Sequence, residues 1–184
     1  MGTGDETAAS RLRQLRTHFR QHPVTGPEGH SYVSSAPRST PAAPAAPAPL
    51  HVVDHIHDSV QEVIDDTLAA NPDAGPLPER VEGIYLWSMA NTRTAEPAQQ
   101  QRRDTIIYRQ ALEHAIAMGD TEVIRPHRCP ACRTFGLFWR GEFRRAVCTN
   151  RRCLDDEGLT SKWTLAQLAF EHVAARNSMR VHAT

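Results

Sequence analysis

All four cysteines of this 184-residue chain lie within 25 consecutive positions, and no other feature constrains its fold as strongly. They are Cys129, Cys132, Cys148 and Cys153, spaced as C-x2-C, then fifteen residues, then C-x4-C. Four thiolates arranged in two pairs can close a tetrahedron around Zn²⁺. The fifteen intervening residues suit a β-hairpin, because an apolar run at 134–139 is followed by a turn signal at 141–142. The spacing therefore predicts one structural zinc ion, since four protein ligands leave no open position for water or substrate.

Two other uses of the cysteines stay open at this level. The Cys129-Pro-Ala-Cys132 segment matches the C-P-x-C form of thioredoxin-like redox sites. Those sites need the first cysteine at a helix N-terminus, whereas the aromatic run that follows here predicts a strand. Structural disulfides need an oxidising compartment, and the N-terminal sequence shows no apolar export signal. The strand predicted after Cys132 therefore favours zinc over redox chemistry, and the lack of an apolar export signal favours zinc over disulfides.

The cysteine spacing resembles that of the zinc-ribbon superfamily, including the ribbons at the ends of type IA topoisomerases, whose second cysteine pair is also often widened. The resemblance covers residues 125–155 and implies the ribbon fold with the same four cysteines as ligands. It implies no topoisomerase activity. More loosely, residues 51–180 resemble small zinc-ribbon proteins of actinobacteria and their phages, a likeness that implies no particular function.

Charge separates the chain into unlike blocks although the net charge is zero. Residues 51–124 are strongly acidic, whereas residues 125–152 contain eight arginines and one glutamate. Arginine forks bind phosphate, and aromatic faces stack on unpaired bases, so an arginine-rich ribbon with interleaved aromatics is typical of a nucleic-acid-binding surface. The candidate nucleic-acid contacts are Arg133, Phe138, Arg140, Arg144, Arg145 and Arg151.

The same arginines have other possible roles. A Zn²⁺ ion with four thiolates carries a formal charge of −2, which nearby arginines can neutralise. The acidic region can also hold the basic ribbon against itself, or the ribbon can dock a protein partner. Alternation in the first strand places Phe135, Leu137 and Trp139 on one face and Phe138 with Arg140 on the other. We therefore expect one aromatic set to pack inside and the other to face solvent.

Helical periodicity dominates the rest of the chain. Apolar residues recur at helical spacing over residues 52–70, 79–90 and 97–118, which predicts a small acidic bundle over 51–122. A capping box of Thr164 and Gln167 predicts the start of a C-terminal helix within a second unit, 123–184. The predicted fold is mainly α, with an inserted zinc-ribbon β-hairpin.

The first fifty residues differ from the rest of the chain in composition and predicted structure. Residues 37–49 form an Ala/Pro run that favours extended, semi-rigid linker structure. Before it, Leu12, Leu15 and Phe19 fall on one face of a possible short helix. We expect residues 1–50 to form a disordered arm and linker, with this segment as a frayed helix or a docking peptide.

Several function classes find no support. The chain has no apolar run long enough to span a bilayer, no glycine-rich phosphate loop and no nucleophile elbow. His51, Asp54, His55 and Asp58 share one helical face, but they match no catalytic metal motif and predict a solvated polar face. We expect a cytoplasmic, non-catalytic protein without a membrane or small-molecule partner.

Two functions are consistent with these observations. The first is a zinc-ribbon accessory protein, a regulator or adaptor, that binds DNA or RNA. The alternative is a protein–protein interaction module in a larger assembly, with the ribbon as a structural scaffold. An enzyme built on His51 and His55 is the least supported hypothesis.

Overall fold

The computed structural model describes residues 4–21 and 50–181. Its helices are α1 (Gly4–Gln21), α2 (Leu50–Ala70), α3 (Ile84–Asn91), α4 (Pro97–Ala117) and α5 (Leu165–Val181). Its strands are β1 (Leu137–Arg140), β2 (Arg145–Cys148) and β3 (Lys162–Trp163). Short helical turns at Val81–Gly83, Thr121–Ile124 and Gly141–Phe143 connect them. The mainly α prediction with one small β unit is confirmed.

Helices α2 to α4 form where periodicity predicts them. At the start of α4, Glu96 and Gln99 form a reciprocal capping box and Pro97 occupies the first helical position. This arrangement satisfies amide groups that have no partner within the helix. The helix ends at Ala117, Met118 caps it, and Gly119 follows with a φ of 88°. Local signals are therefore sufficient to place the longest helix of the bundle.

The bundle core includes a helix from the N-terminal region. Ala8 and Leu12 of α1 are completely buried, in one cluster with Val63 of α2, Tyr85 of α3 and Ile107 of α4. Residues 4–21 thus form a helix packed on the bundle, where the sequence predicts a short frayed helix or docking peptide within residues 1–50. The physical reason is that Ala8, Leu12 and Leu15 on one face of α1 remove enough apolar surface from water to hold the helix on α4. The Ala/Pro run at 37–49 lies outside the described residues.

The sheet is antiparallel with strand order β1-β2-β3. Trp139 pairs with Ala146, which pairs with Trp163, and this row packs against Ile124 and Leu168 in a second core. Phe138 pairs with Val147, which pairs with Lys162, and this row lies on the opposite face. The hairpin is confirmed, and the third strand extends it.

Helix α5 fastens the sheet to the bundle. Thr164 and Gln167 cap it as predicted, with the Thr164 amide donating to Gln167 Oε1 at 2.8 Å and the Gln167 amide donating to Thr164 Oγ1 at 3.1 Å. Farther along, His172 stacks on Tyr108 of α4 with ring centres 4.2 Å apart. The Tyr108 hydroxyl lies 3.0 Å from His127 Nε2, two residues before the first cysteine. These contacts position the cysteine site against α4. None of the described helices is both long and apolar enough to cross a membrane.

Candidate metal centre

The four cysteine sulfurs form one cluster between the two cysteine-bearing loops. All four Sγ atoms lie within 4.8 Å of one another. The Cys129–Cys153 and Cys132–Cys148 sulfur pairs are each 3.7 Å apart. Among the described residues, this is the single group of three or more His, Cys, Asp or Glu side chains that could hold a metal ion.

The sulfur separations fit a metal better than disulfides. Four sulfurs at about 2.3 Å from a shared centre lie about 3.8 Å apart along the edges of a tetrahedron. A disulfide requires about 2.05 Å, and all four cysteines are free thiols. The four cysteines can therefore hold one metal ion, because their sulfurs are already gathered within 4.8 Å of one another.

A tight turn presents the first pair. The Arg133 amide donates to the Cys129 carbonyl at 2.8 Å, and the Cys129 amide donates to the Thr134 carbonyl at 2.9 Å. Arg133 itself adopts a left-handed conformation with φ of 59°. Residues 130–132 form a turn that leads toward a strand, and no helix begins there. This backbone lacks the helix N-terminus that a thioredoxin-like cysteine requires.

The longer second loop is held by Ser161, just before β3. The Ser161 amide donates to the Cys153 carbonyl at 3.1 Å, and the Cys148 amide donates to the Ser161 carbonyl at 3.1 Å. Within the loop, the Cys153 amide donates to the Asn150 carbonyl at 2.8 Å. These bonds accommodate the two extra residues of the C-x4-C spacing, because the loop is tied to the strand that follows it.

The thiols differ in acidity. The Thr134 hydroxyl beside Cys132 lowers the pKa of that thiol to about 6. Burial raises the pKa of the Cys148 thiol to about 12. Metal ligation requires thiolates, so a bound cation would offset the cost of deprotonating the buried sulfur.

The predicted nucleic-acid contacts divide into groups in space. Phe138 and Arg140 lie on the outer face of the sheet, and Arg140 pairs with Arg145 across β1 and β2. Arg144, in a left-handed conformation at the turn, lines a cleft toward the bundle together with Arg145. The side chains of four arginines in the predicted set are exposed: Arg140, Arg144, Arg145 and Arg151.

Arg133 and Arg151 lie apart from this face. The Arg133 guanidinium pairs with Glu171 of α5 at 3.0 Å, so it connects the first cysteine loop to the helix. Arg151 lies in the second cysteine loop. The ion pair gives Arg133 a structural role within the protein.

Sequence reasoning missed Lys162. The two-residue strand β3 brings it beside Val147 on the outer face, with its ammonium 5.6 Å from the centre of the Phe143 ring. A two-residue strand carries too little alternation to be recognised. A basic residue next to a candidate start of a helix was the sole available signal.

Comparisons with protein-family models, curated proteins and solved structures found no match to this chain. The metal centre is therefore supported by its own geometry.

Proposed function

We propose that this protein is a non-catalytic zinc-ribbon protein that binds nucleic acid through the outer face of its sheet. The observation that carries the proposal is that the two faces of the sheet have different side chains and different surroundings. The inner row packs into the second core, while Phe138, Arg140 and Lys162 lie on the opposite face. A surface that combines cations with aromatic rings suits phosphates and unpaired bases.

Cations lie over the aromatic rings of the ribbon. The Arg140 guanidinium is 4.6 Å from the centre of the Phe138 ring, and the Arg128 guanidinium is 4.3 Å from that of Phe135. Phe135 and Phe143 are 59% and 58% exposed. Each cation–π pair keeps a ring at the surface, and the guanidinium plane itself offers a second stacking surface for a base.

The metal supports this surface without reacting. Zn²⁺ suits a site of four thiolates, which leaves no position for a substrate. In small metallo-domains the ion contributes on the order of 10 kcal/mol of folding free energy. A three-stranded sheet this short cannot supply such a core by itself. Thiols kept reduced as ligands also favour the cytoplasm as its compartment.

Zinc analysis tests the metal. We expect one tightly held zinc per chain, and we expect Cys153→Ser to lose it together with the tertiary signal of Trp139 and Trp163, while helical circular dichroism persists. Arg152→Ala changes an exposed neighbour in the same loop and should keep the zinc. Retention of stoichiometric zinc in Cys153→Ser would contradict the assigned ligand set.

Salt-titrated binding to single-stranded and duplex oligonucleotides tests the surface. We expect affinity to fall steeply with salt, and the double variant Arg140→Ala/Lys162→Ala to bind at least about tenfold more weakly with a shallower salt dependence. Arg93→Ala/Arg102→Ala removes two exposed charges from the bundle and serves as the matched control. Equal losses in the two double variants, or no binding at all, would contradict the proposal.

A second function is favoured by a groove in the bundle. A groove of about 1020 Å³ lies between α1, α2 and the segment 79–86, and Leu86 at its edge is 61% exposed. Apolar exposure of this kind suits a protein partner. Absence of nucleic-acid binding together with a zinc-loaded, folded ribbon would favour this protein-interaction function.

A further inference from the structure

Two histidines from different helices lie against each other beneath the ribbon. His55 of α2 and His114 of α4 form an edge-to-face pair with ring centres 5.3 Å apart and planes at 84°. His114 is completely buried. In the described part of the chain, no hydrogen bond reaches His55 Nε2 or either ring nitrogen of His114. Buried polar atoms in proteins are nearly always bonded, so three such nitrogens point to a ligand.

His55 lines a cleft at the surface, and His114 lies buried behind it. The cleft has a volume of about 720 Å³ and lies between α2, α4, the hairpin turn and the start of α5. Its charged lining residues are Asp58, Glu62, Arg109, Glu113, Arg144 and Arg145. Arg109 forms ion pairs with both Glu62 and Glu113. Arg109 is thus shared by two carboxylates, and the three carboxylates of the cleft balance its three arginines.

We propose that His55 and His114 bind a divalent transition-metal ion, separate from the four-cysteine centre. Two imidazoles that share a tetrahedral metal, each with a metal–nitrogen bond of about 2.0–2.1 Å, have ring centres about 5.2 Å apart. The observed separation of 5.3 Å matches that requirement. A ring-to-ring contact alone would leave the same nitrogens with only weak interactions.

The donor set defines the class of ion. Imidazole suits Zn²⁺, Ni²⁺, Cu²⁺ and Co²⁺, whereas Mg²⁺ and Ca²⁺ require oxygen ligands. Burial lowers the pKa of His114 to about 3 and also lowers the pKa of His55, so both rings are neutral at pH 7. No proton therefore competes with the metal at that pH.

Asp58, which lines the cleft, is the candidate for a third ligand. Asp58 lies three residues after His55, on the same face of α2, and its side chain is exposed. As placed, no third histidine, cysteine or carboxylate of the described residues lies within ligating distance of the pair. The Asp58 carboxylate must therefore rotate toward the rings, or water must complete the coordination. A site with two histidines and at most one carboxylate will bind more weakly than the four cysteines.

Cobalt titration of the zinc-loaded full-length protein tests the proposal. We expect one equivalent of Co²⁺ to bind with visible d–d absorption and without the thiolate-to-cobalt charge-transfer band that cobalt at the cysteines would produce. His55→Ala should abolish this binding, while Asp58→Asn should weaken it by about tenfold or less. His57→Ala removes an exposed histidine from the same helix and should leave the binding unchanged.

His114→Gln provides an independent variant, provided that circular dichroism shows it to be folded. It keeps a polar group of similar size in the core and should also abolish cobalt binding. If His114→Gln does not fold, His55→Ala decides the question, because its side chain is only partly buried. Absence of a cobalt equivalent in the parent protein, or survival of that equivalent in His55→Ala, overturns the proposal.

Discussion

Gly136 occupies a backbone conformation on which closure of the metal centre depends. Its φ is 132°, in a region that side chains rarely adopt, and a Cβ atom there would lie 2.4 Å from Thr149 Oγ1. The Thr149 amide donates to the Gly136 carbonyl at 2.9 Å, which joins the approach to β1 with the residue after Cys148. The glycine therefore allows the two cysteine loops to come together.

We expect Gly136→Ala to lower the free energy of unfolding by about 2–3 kcal/mol, because it combines backbone strain with a steric clash. Gly141→Ala is the matched control, since a Cβ there meets nothing within 4 Å and φ is not in the left-handed region. Gly119→Ala, with φ of 88° and open space, isolates the strain. Urea unfolding of the three variants measures these costs. Equal stability of Gly136→Ala and Gly141→Ala would contradict the argument.

At the scale of elements, α1 is held to the bundle by both apolar and polar contacts. Leu12 and Leu15 are completely buried. The Arg11 guanidinium donates to the Ala111 carbonyl of α4 at 3.0 Å, and Arg16 forms an ion pair with Glu82. An isolated helix of this length is only marginally stable in water, so α1 depends on the apolar face that it buries against the bundle.

We expect Leu12→Ala to destabilise the bundle by about 2–4 kcal/mol, through lost burial and the cavity left behind. Gln14→Ala changes an exposed residue of the same helix and should cost less than about 0.5 kcal/mol. Thermal unfolding followed at a helical wavelength compares the two variants. If Leu12→Ala behaves like Gln14→Ala, α1 does not belong to the core.

At the scale of the whole molecule, histidines lie where helices meet: His114 is completely buried, His55 is partly buried and His172 is exposed. Burial lowers the pKa of His55 and His114 between α2 and α4, and that of His172, which stacks on α4 from α5. In the unfolded chain each titrates near its ordinary pKa of 6.5. Below that pH the unfolded state binds more protons than the folded state, so acid favours unfolding.

We therefore expect stability to be greatest above pH 6.5 and to fall as the pH is lowered toward 3. His114, whose pKa is lowered to about 3, accounts for about 2 kcal/mol of this loss by pH 5. Urea unfolding across pH 5–8 measures the slope for the parent protein and for His114→Gln. Both proteins are measured with zinc at the cysteine centre and no other metal added, so acid release of that zinc cancels in the comparison. An unchanged slope in His114→Gln would contradict the assignment.

The amino-acid sequence by itself determined the features that depend on neighbouring positions. The spacing of the four cysteines specified the cluster, alternation separated Trp139 from Phe138 onto opposite faces, and Thr164 with Gln167 marked the start of α5. Each of these features involves at most about 25 residues, so its pattern is visible in the chain.

Tertiary structure decided the features that join distant segments. Four such features connect residues far apart in the sequence or involve a strand too short to show a pattern. They are the docking of α1, the third strand with Lys162, the Arg133–Glu171 ion pair and the His55–His114 contact. Their formation depends on how much surface is buried when two elements meet and on which charges then face each other. Neither quantity exists until the elements have packed, because burial and pairing are properties of the folded arrangement.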